Sequence, residues 1–157
     1  MKKYNIIKEK KIITILYVLL AMLIISTAAY GQGKKDAEAM VKKAITYYRS
    51  VGHDKALLDL SNSKGKFVDG EMYITVYDLT GKCLAHGANL KMIGKDWTEL
   101  KDADGKAFIK ERLEAVKSAV SGWQSYKWTN PTSKQIESKQ TYFEKADNLV
   151  FSCGFYK

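Results

Sequence analysis

Residues 72–86 read MYITVYDLTGKCLAH, and this stretch decides the fold class of the chain. Met72 to Tyr77 alternates and is rich in β-branched and aromatic residues, which is typical of a strand. Asp78-Leu79-Thr80-Gly81 predicts a type I turn, because Asp favours its first position and Gly its last. Cys83 to His86 then predicts the second strand of an antiparallel hairpin.

The residues before the hairpin predict a helix that breaks once. From Asp36 to Leu60 the apolar residues recur at three-to-four spacing, which indicates one buried stripe along a helix. Gly52 predicts a break in this stretch. Beyond it, Asp54 is suited to cap a second, short helix over Lys55 to Leu60.

The residues after the hairpin predict a further helix and three strands. Asn89 to Asp104 is a long connection, and Ala107 to Ser121 has the apolar spacing of a helix that Gly122 would end. Strands are predicted over Trp123 to Trp128, Ile136 to Lys145 and Asn148 to Tyr156. The order indicates an α+β domain, with a long N-terminal helix packed on a five-stranded antiparallel sheet.

Residues 1–29 have the three parts of an export signal. Met1 to Lys11 is basic, Ile12 to Ala29 is almost entirely apolar, and small residues lead out of the apolar run. We expect cleavage after Ala28 or near Tyr30, because of that small-residue exit. The alternative is an uncleaved anchor in the inner membrane, since the run approaches the roughly 20 residues of a membrane span. Both readings export the domain, to the periplasm or beyond the cell.

The composition excludes several classes of protein. With 157 residues and 46% hydrophobic content, the chain fits one globular domain. Its net charge is +9, but its lysines are interleaved with acids, which argues against nucleic-acid binding. The sequence lacks the motifs of serine hydrolases, phosphate-binding loops and zinc proteases. Its two His and two Cys lack metal-ligand spacing, so we predict neither an enzyme nor a metal or cofactor site.

Short motifs accompany this order of elements. They are Phe67-Val68-Asp69-Gly70-Glu71-Met72-Tyr73-Ile74, the hairpin with Leu84-Ala85-His86, Ile93-Gly94-Lys95-Asp96, and Gly122-Trp123, Tyr126, Trp128, Asn130-Pro131, Lys139 and Tyr142. In this order, from about Asp36 to Tyr156, they resemble the single Cache domain, an extracytoplasmic sensor module of bacterial receptors with a PAS-like fold. A Pro that often follows the His in that family is replaced here by Gly87. Because the chain ends at Lys157, the resemblance favours a free-standing form over residues 30–157.

The resemblance implies a pocket for a small organic anion. A carboxylate in a partly dry cleft needs a cation or several hydrogen-bond donors. His86 ends a strand beside the long connection, and Lys139 lies mid-strand, where burial without an anionic partner is unfavourable. A structural His86 and a solvent-facing Lys139 are the alternatives. We predict that both side chains face one pocket, roofed by the loop from Asn89 to Asp104.

Aromatic residues complete the predicted site. Strand alternation puts Tyr126 and Trp128 on one face of the sheet and Trp123 on the other. Tyr73 and Tyr142 offer hydroxyl groups at the middle of their strands, although core packing explains every one of these aromatics equally well. The predicted ligand-binding residues are therefore Tyr73, His86, Tyr126, Trp128, Lys139 and Tyr142.

Two functions follow from these observations. The first is an exported small-molecule sensor module, for which the resemblance implies a short-chain carboxylate such as acetate, propionate, pyruvate or lactate. The second is a protein interaction module with a vestigial pocket, which docks to a membrane receptor. The strand order implied by the resemblance also separates Cys83 from Cys153 by two strand spacings. That is roughly 9–10 Å, too far for a disulfide.

Overall fold

The computed structural model describes residues 32–157 of the chain. The predicted export segment, residues 1–29, lies outside the described residues. Across residues 32–157, no helix is both long enough and apolar enough to cross a membrane.

Two helices precede the sheet, as predicted. Helix α1 covers residues 32–51 and helix α2 covers His53–Leu60. Gly52 separates them with a φ of 84°, a left-handed conformation that glycine adopts without strain. The predicted Asp54 cap is wrong, because α2 begins at His53 and no side chain caps it. Oδ1 of Asp54 instead lies 2.8 Å from Nδ1 of His53.

The first predicted strand is divided in the structure. Strand β1 (Val68–Asp69) pairs with β2 (Met72–Tyr73) in a small separate sheet. The chain then continues as β3 (Thr75–Asp78), which pairs with β4 (Cys83–His86) in the main sheet. The predicted turn is confirmed, since the backbone N–H of Gly81 donates to the carbonyl of Asp78 at 3.2 Å.

The second half adds helix α3 and three long strands. Helix α3 covers only Phe108–Ala115, and β5, β6 and β7 cover Ser121–Thr129, Ile136–Ala146 and Leu149–Tyr156. The predicted helix stop at Gly122 is wrong, because Gly122 pairs with Phe143 inside the sheet. A Cβ at Gly122 would lie 2.8 Å from the Phe143 ring, so close packing explains the glycine.

The main sheet is antiparallel, with the strand order β4-β3-β7-β6-β5. This confirms the predicted α+β fold class and places β3 between β4 and β7. Every residue of β7 is buried, because the strand is covered on both faces. On one face, Tyr48 of α1 packs its ring 5.4 Å from the Phe151 ring. On the other, Arg112 of α3 donates to Oγ of Ser152 at 2.8 Å.

Candidate functional site

A small cavity of about 20 Å³ lies between the main sheet and helix α3. Its wall combines aromatic rings with a few buried polar groups, as small-ligand pockets commonly do. It is lined by Tyr73, Thr75, Tyr77, His86, Phe108, Arg112, Tyr126, Trp128, Lys139, Thr141, Ser152, Cys153 and Gly154.

The strand register brings Lys139 and His86 to this one face of the sheet. Lys139 pairs with Tyr156, and His86 pairs with Thr75, which itself pairs with Ser152. Directly paired residues share a face, and so do residues four apart on one strand, such as Ser152 and Tyr156. Both side chains therefore project into the same cavity.

The Nζ atom of the buried Lys139 is in direct contact with uncharged groups. Lys139 is 2% exposed, and its Nζ lies 3.3 Å from the Tyr156 hydroxyl, to which it donates. The same Nζ stands 3.8 Å from the centroid of the Tyr73 ring and 4.7 Å from that of Tyr156. Within residues 32–157, no carboxylate oxygen comes within 4.0 Å of Nζ.

Burial without a carboxylate partner changes the acid–base behaviour of Lys139. Moving an ammonium out of water disfavours its charged form. Burial therefore lowers the pKa of Lys139 to about 7, and the charge of Arg112 acts in the same direction. Cys153 and Glu71 act in the opposite direction, but burial is the largest effect on this pKa.

His86 is held as a neutral imidazole. Its Nδ1 accepts hydrogen bonds from the backbone N–H groups of Ala88 at 3.2 Å and Asn89 at 3.0 Å. Because Nδ1 is an acceptor, the ring proton resides on Nε2, which is then a donor. Burial, helped by the charge of Lys139, lowers the pKa of His86 to about 3. The ring stacks on Tyr73, with the centroids 5.0 Å apart.

Arg112 is a second buried cation on the cavity, and sequence reasoning missed it. Its residue is 2% exposed. It donates from Nη1 to Ser152, and from Nε and Nη2 to Oε1 of Gln124 at 3.3 and 3.2 Å. Gln124 is fixed in turn by donating to the Phe108 carbonyl at 2.9 Å. A polar residue in the middle of a predicted helix, ten positions before the predicted stop at Gly122, gives no sequence signal of burial.

Gly154 makes room for the stem of Lys139. A Cβ there would lie 2.9 Å from Cε of Lys139, and closer still to Oγ1 of Thr141 and to the backbone carbonyl oxygen of Gln140. Any other residue would therefore displace one of these groups. A glycine inside a strand often marks such a close approach, so this signal was available in the sequence.

The predicted roof of the pocket is wrong. Phe108 and Arg112 of α3 cover the cavity, and no residue between Asn89 and Asp104 lines it. That loop instead packs beside α3, where Nε1 of Trp97 donates to the Met92 carbonyl at 2.7 Å. Asn89 lines a neighbouring groove, which shares Tyr73, His86 and Trp128 with the cavity.

Five of the six predicted site residues line the cavity, and Tyr142 does not. Tyr142 is adjacent to Thr141 on β6, so strand alternation turns it to the other face. There its ring packs 5.3 Å from Trp123 and its hydroxyl donates to Glu144 at 2.8 Å. The predicted separation of Trp123 from Tyr126 is confirmed.

Tyr126 and Trp128 form the aromatic end of the cavity with Phe108. The Tyr126 and Phe108 rings stack with centroids 4.1 Å apart, and Trp128 meets Phe108 edge-on at 5.3 Å. The Tyr126 hydroxyl accepts a hydrogen bond from Thr141 at 3.2 Å. Within the described residues, no group of three or more His, Cys, Asp or Glu side chains is arranged to hold a metal ion.

Comparisons with known proteins agree with this fold. A sensor histidine kinase, MctS, from Rhizobium johnstonii is 28% identical over 154 residues, which is 97% of this chain and 30% of the kinase. A methyl-accepting chemotaxis protein from Vibrio parahaemolyticus superposes with a TM-score of 0.70 at 22% identity, covering 83% of this chain and 92% of that structure.

A second solved structure is a Cache chemosensory domain described for its recognition of carboxylic acids. It superposes with a TM-score of 0.70 at 23% identity, covering 82% of this chain and 95% of that domain. At such identities the likeness establishes the fold. The model of the single Cache domain 2 family matches residues 8–156. The chain therefore belongs to the single Cache domain 2 family of sensor domains.

Proposed function

We propose that this chain is an exported sensor domain that binds a short-chain carboxylate, of the acetate, propionate, pyruvate or lactate class, in the cavity between the sheet and α3. The observation that carries the proposal is Lys139, a buried lysine that projects into this cavity without a carboxylate partner among the described residues. A bound anion would supply the charge that Lys139 lacks.

Each polar group on the cavity has a task in this proposal. The ammonium of Lys139 forms a charge-assisted hydrogen bond to one carboxylate oxygen. Nε2 of His86 donates a second hydrogen bond, and its orientation is fixed by the two backbone groups on Nδ1. Arg112 adds positive potential from the side of α3. Tyr73 and Tyr126 enclose the ligand and keep water out, which strengthens these interactions.

The size of the cavity limits the ligand to small acids. The free volume of about 20 Å³ holds about one water molecule, so even a ligand as small as acetate requires the lining side chains to move apart. The rings of Phe108, Tyr126 and Trp128 close the apolar end, where a short alkyl chain would lie. The structural neighbour described for carboxylic acid recognition supports the same ligand class.

The basic and apolar residues 1–29 support export of the domain, by a cleaved signal or by a membrane anchor. Its proposed partner is a membrane receptor or kinase that reads the ligand-bound state. No catalytic step is assigned to the cavity.

A thermal-shift screen tests the proposal. A ligand that binds only the folded state raises the melting temperature in proportion to the logarithm of its excess over Kd. We expect at least one of the four acids to raise Tm for the wild type and for the Lys127→Met control, which removes an exposed lysine from β5. Lys139→Met should lose the shift. If none of the acids shifts the wild type, the interaction module with a vestigial pocket becomes the better account.

A further inference from the structure

The groups in direct contact with Nζ of Lys139 carry no negative charge at neutral pH. Burial raises the pKa values of Tyr73 and Tyr156, so both hydroxyls remain protonated. Burial likewise raises the pKa of Cys153 to about 12. The nearest contacts of Nζ are thus a neutral hydroxyl and two neutral rings.

The charged groups around Lys139 do not compensate for its burial. Glu71 uses Oε1 to accept the backbone N–H of Tyr156 and Oε2 to accept Nδ2 of Asn130, each at 2.9 Å. Arg112 approaches from α3 with a like charge. The titratable or charged groups that face Lys139 from the surrounding elements are Glu71, Tyr73, His86, Arg112, Tyr126, Cys153 and Tyr156.

His86 is unsuited to take up a proton when an anion arrives. Protonation at Nδ1 would break its hydrogen bonds from Ala88 and Asn89, because a protonated nitrogen no longer accepts. Lys139, in contrast, loses no hydrogen bond when it takes up a proton. Its Nζ donates to Tyr156 and would gain an acceptor from the ligand, so the added charge is matched where it forms.

We infer that at alkaline pH the site takes up the carboxylate together with one proton, so that Lys139 is a neutral amine in the empty cavity and an ammonium in the complex. This inference rests on the proposed function. In balance, the amine of Lys139, one proton from solvent and the carboxylate anion give an ammonium–carboxylate pair. The complex therefore gains no net charge inside the cavity.

The pKa of about 7 for Lys139 sets the pH range of the effect. Below this value the amine already carries its proton, and binding takes up little more. Above it, binding must draw a proton from solvent, so the apparent Kd rises about tenfold per pH unit. The response would make ligand occupancy fall as the surroundings become alkaline.

Titration calorimetry tests the proton uptake directly. Acetate, propionate, pyruvate and lactate are titrated into the wild type from pH 6 to 8.5, in buffers of differing ionisation enthalpy. We expect uptake to approach one proton at pH 8.5 and to vanish towards pH 6, with Lys127→Met as the matched control. Binding without uptake and with a constant Kd would overturn this inference and leave the proposed function standing. Failure of all four acids to bind would overturn both.

An NMR titration of the empty protein supplies the second readout. Lysine is labelled with ¹³C at Cε, and the Lys139 signal is assigned by its loss in Lys139→Met, a change that keeps the stem and removes the amine. We expect the Lys139 signal to titrate near pH 7 while exposed lysines titrate near their usual value. A Lys139 midpoint above pH 9 would show a charged empty site and overturn the inference.

Discussion

Lys139 links the stability of the empty domain to its affinity for an anion. A buried ammonium loses its hydration, and two tyrosine rings and one hydroxyl replace only part of it. The empty domain avoids this cost at alkaline pH because Lys139 releases its proton, as its lowered pKa indicates. A ligand that removes the cost gains binding energy from it.

The pH dependence of the unfolding free energy depends on the protonation of Lys139. The pKa of Lys139 falls from 10.5 in the unfolded chain to about 7 in the folded domain, so between these values the unfolded state binds more protons. Stability of the empty domain therefore rises with pH from 7 to about 8.5, by roughly 1–2 kcal/mol from this group. Above about pH 9 the buried Cys83 and Cys153 act in the opposite direction, because burial raises their pKa values to about 12.

Urea denaturation at several pH values checks this sign. The difference in unfolding free energy between the wild type and Lys139→Met should become more favourable to the wild type as the pH rises through this window. Parallel curves for the two proteins would show that Lys139 does not change its protonation on folding.

Gly154 offers a test of how Lys139 is positioned. In Gly154→Ala the new methyl group would meet Thr141 and the Lys139 stem, so we expect destabilisation of about 1–3 kcal/mol from overpacking. Anion affinity should fall as well, because Nζ moves with its stem. Ser138→Ala on β6 is the control and should stay within about 0.5 kcal/mol of the wild type. Unchanged stability in Gly154→Ala would show that the cavity is looser than the structure indicates.

At the scale of elements, residue pattern predicts the strands and helices but not where they are interrupted. The hairpin from β3 to β4 and the break at Gly52 follow from turn chemistry and from glycine's conformational freedom. The division after Tyr73 does not, since β2 and β3 form one alternating run that two different sheets share. Helix α3 ends at Ala115, and Ser121, the last residue of the predicted helix, already belongs to β5 and pairs with Glu144.

The strand order makes a prediction about the cysteines. Cys83 on β4 and Cys153 on β7 are separated by β3, and both are buried free thiols. We expect an aromatic disulfide reagent to react with neither thiol in the native protein and with both after denaturation without reductant. The absence of reactive thiols in a denatured monomer would contradict the strand order.

At the scale of the whole molecule, the sequence predicts two polar residues of the cavity, Lys139 and His86. It does not predict that helix α3 covers the cavity. Lys139 and His86 could be predicted because few residues of this chain could bind an anion in a cleft. Lys139 lies inside a predicted strand, and His86 lies at the end of one. The sequence does not predict Arg112 as a cavity residue, because helix periodicity does not show which polar residue a neighbouring sheet will bury. Tyr142 was misplaced because strand phase depends on register, which a single strand does not supply.

Export is the property of the whole chain that remains a prediction from sequence. If residues 1–29 are a cleaved signal, the intact mass of the exported protein will correspond to a chain that starts after Ala28 or near Tyr30. A mass that still includes residues 1–29 would establish the membrane anchor instead.

A crystal structure of the protein with the acid that gives the largest thermal shift tests the central claim most directly. The account predicts the ligand inside the cavity, with a carboxylate oxygen about 3 Å from Nζ of Lys139 and within hydrogen-bonding distance of Nε2 of His86. A ligand bound elsewhere on the domain, with Lys139 still surrounded only by tyrosines, would contradict it.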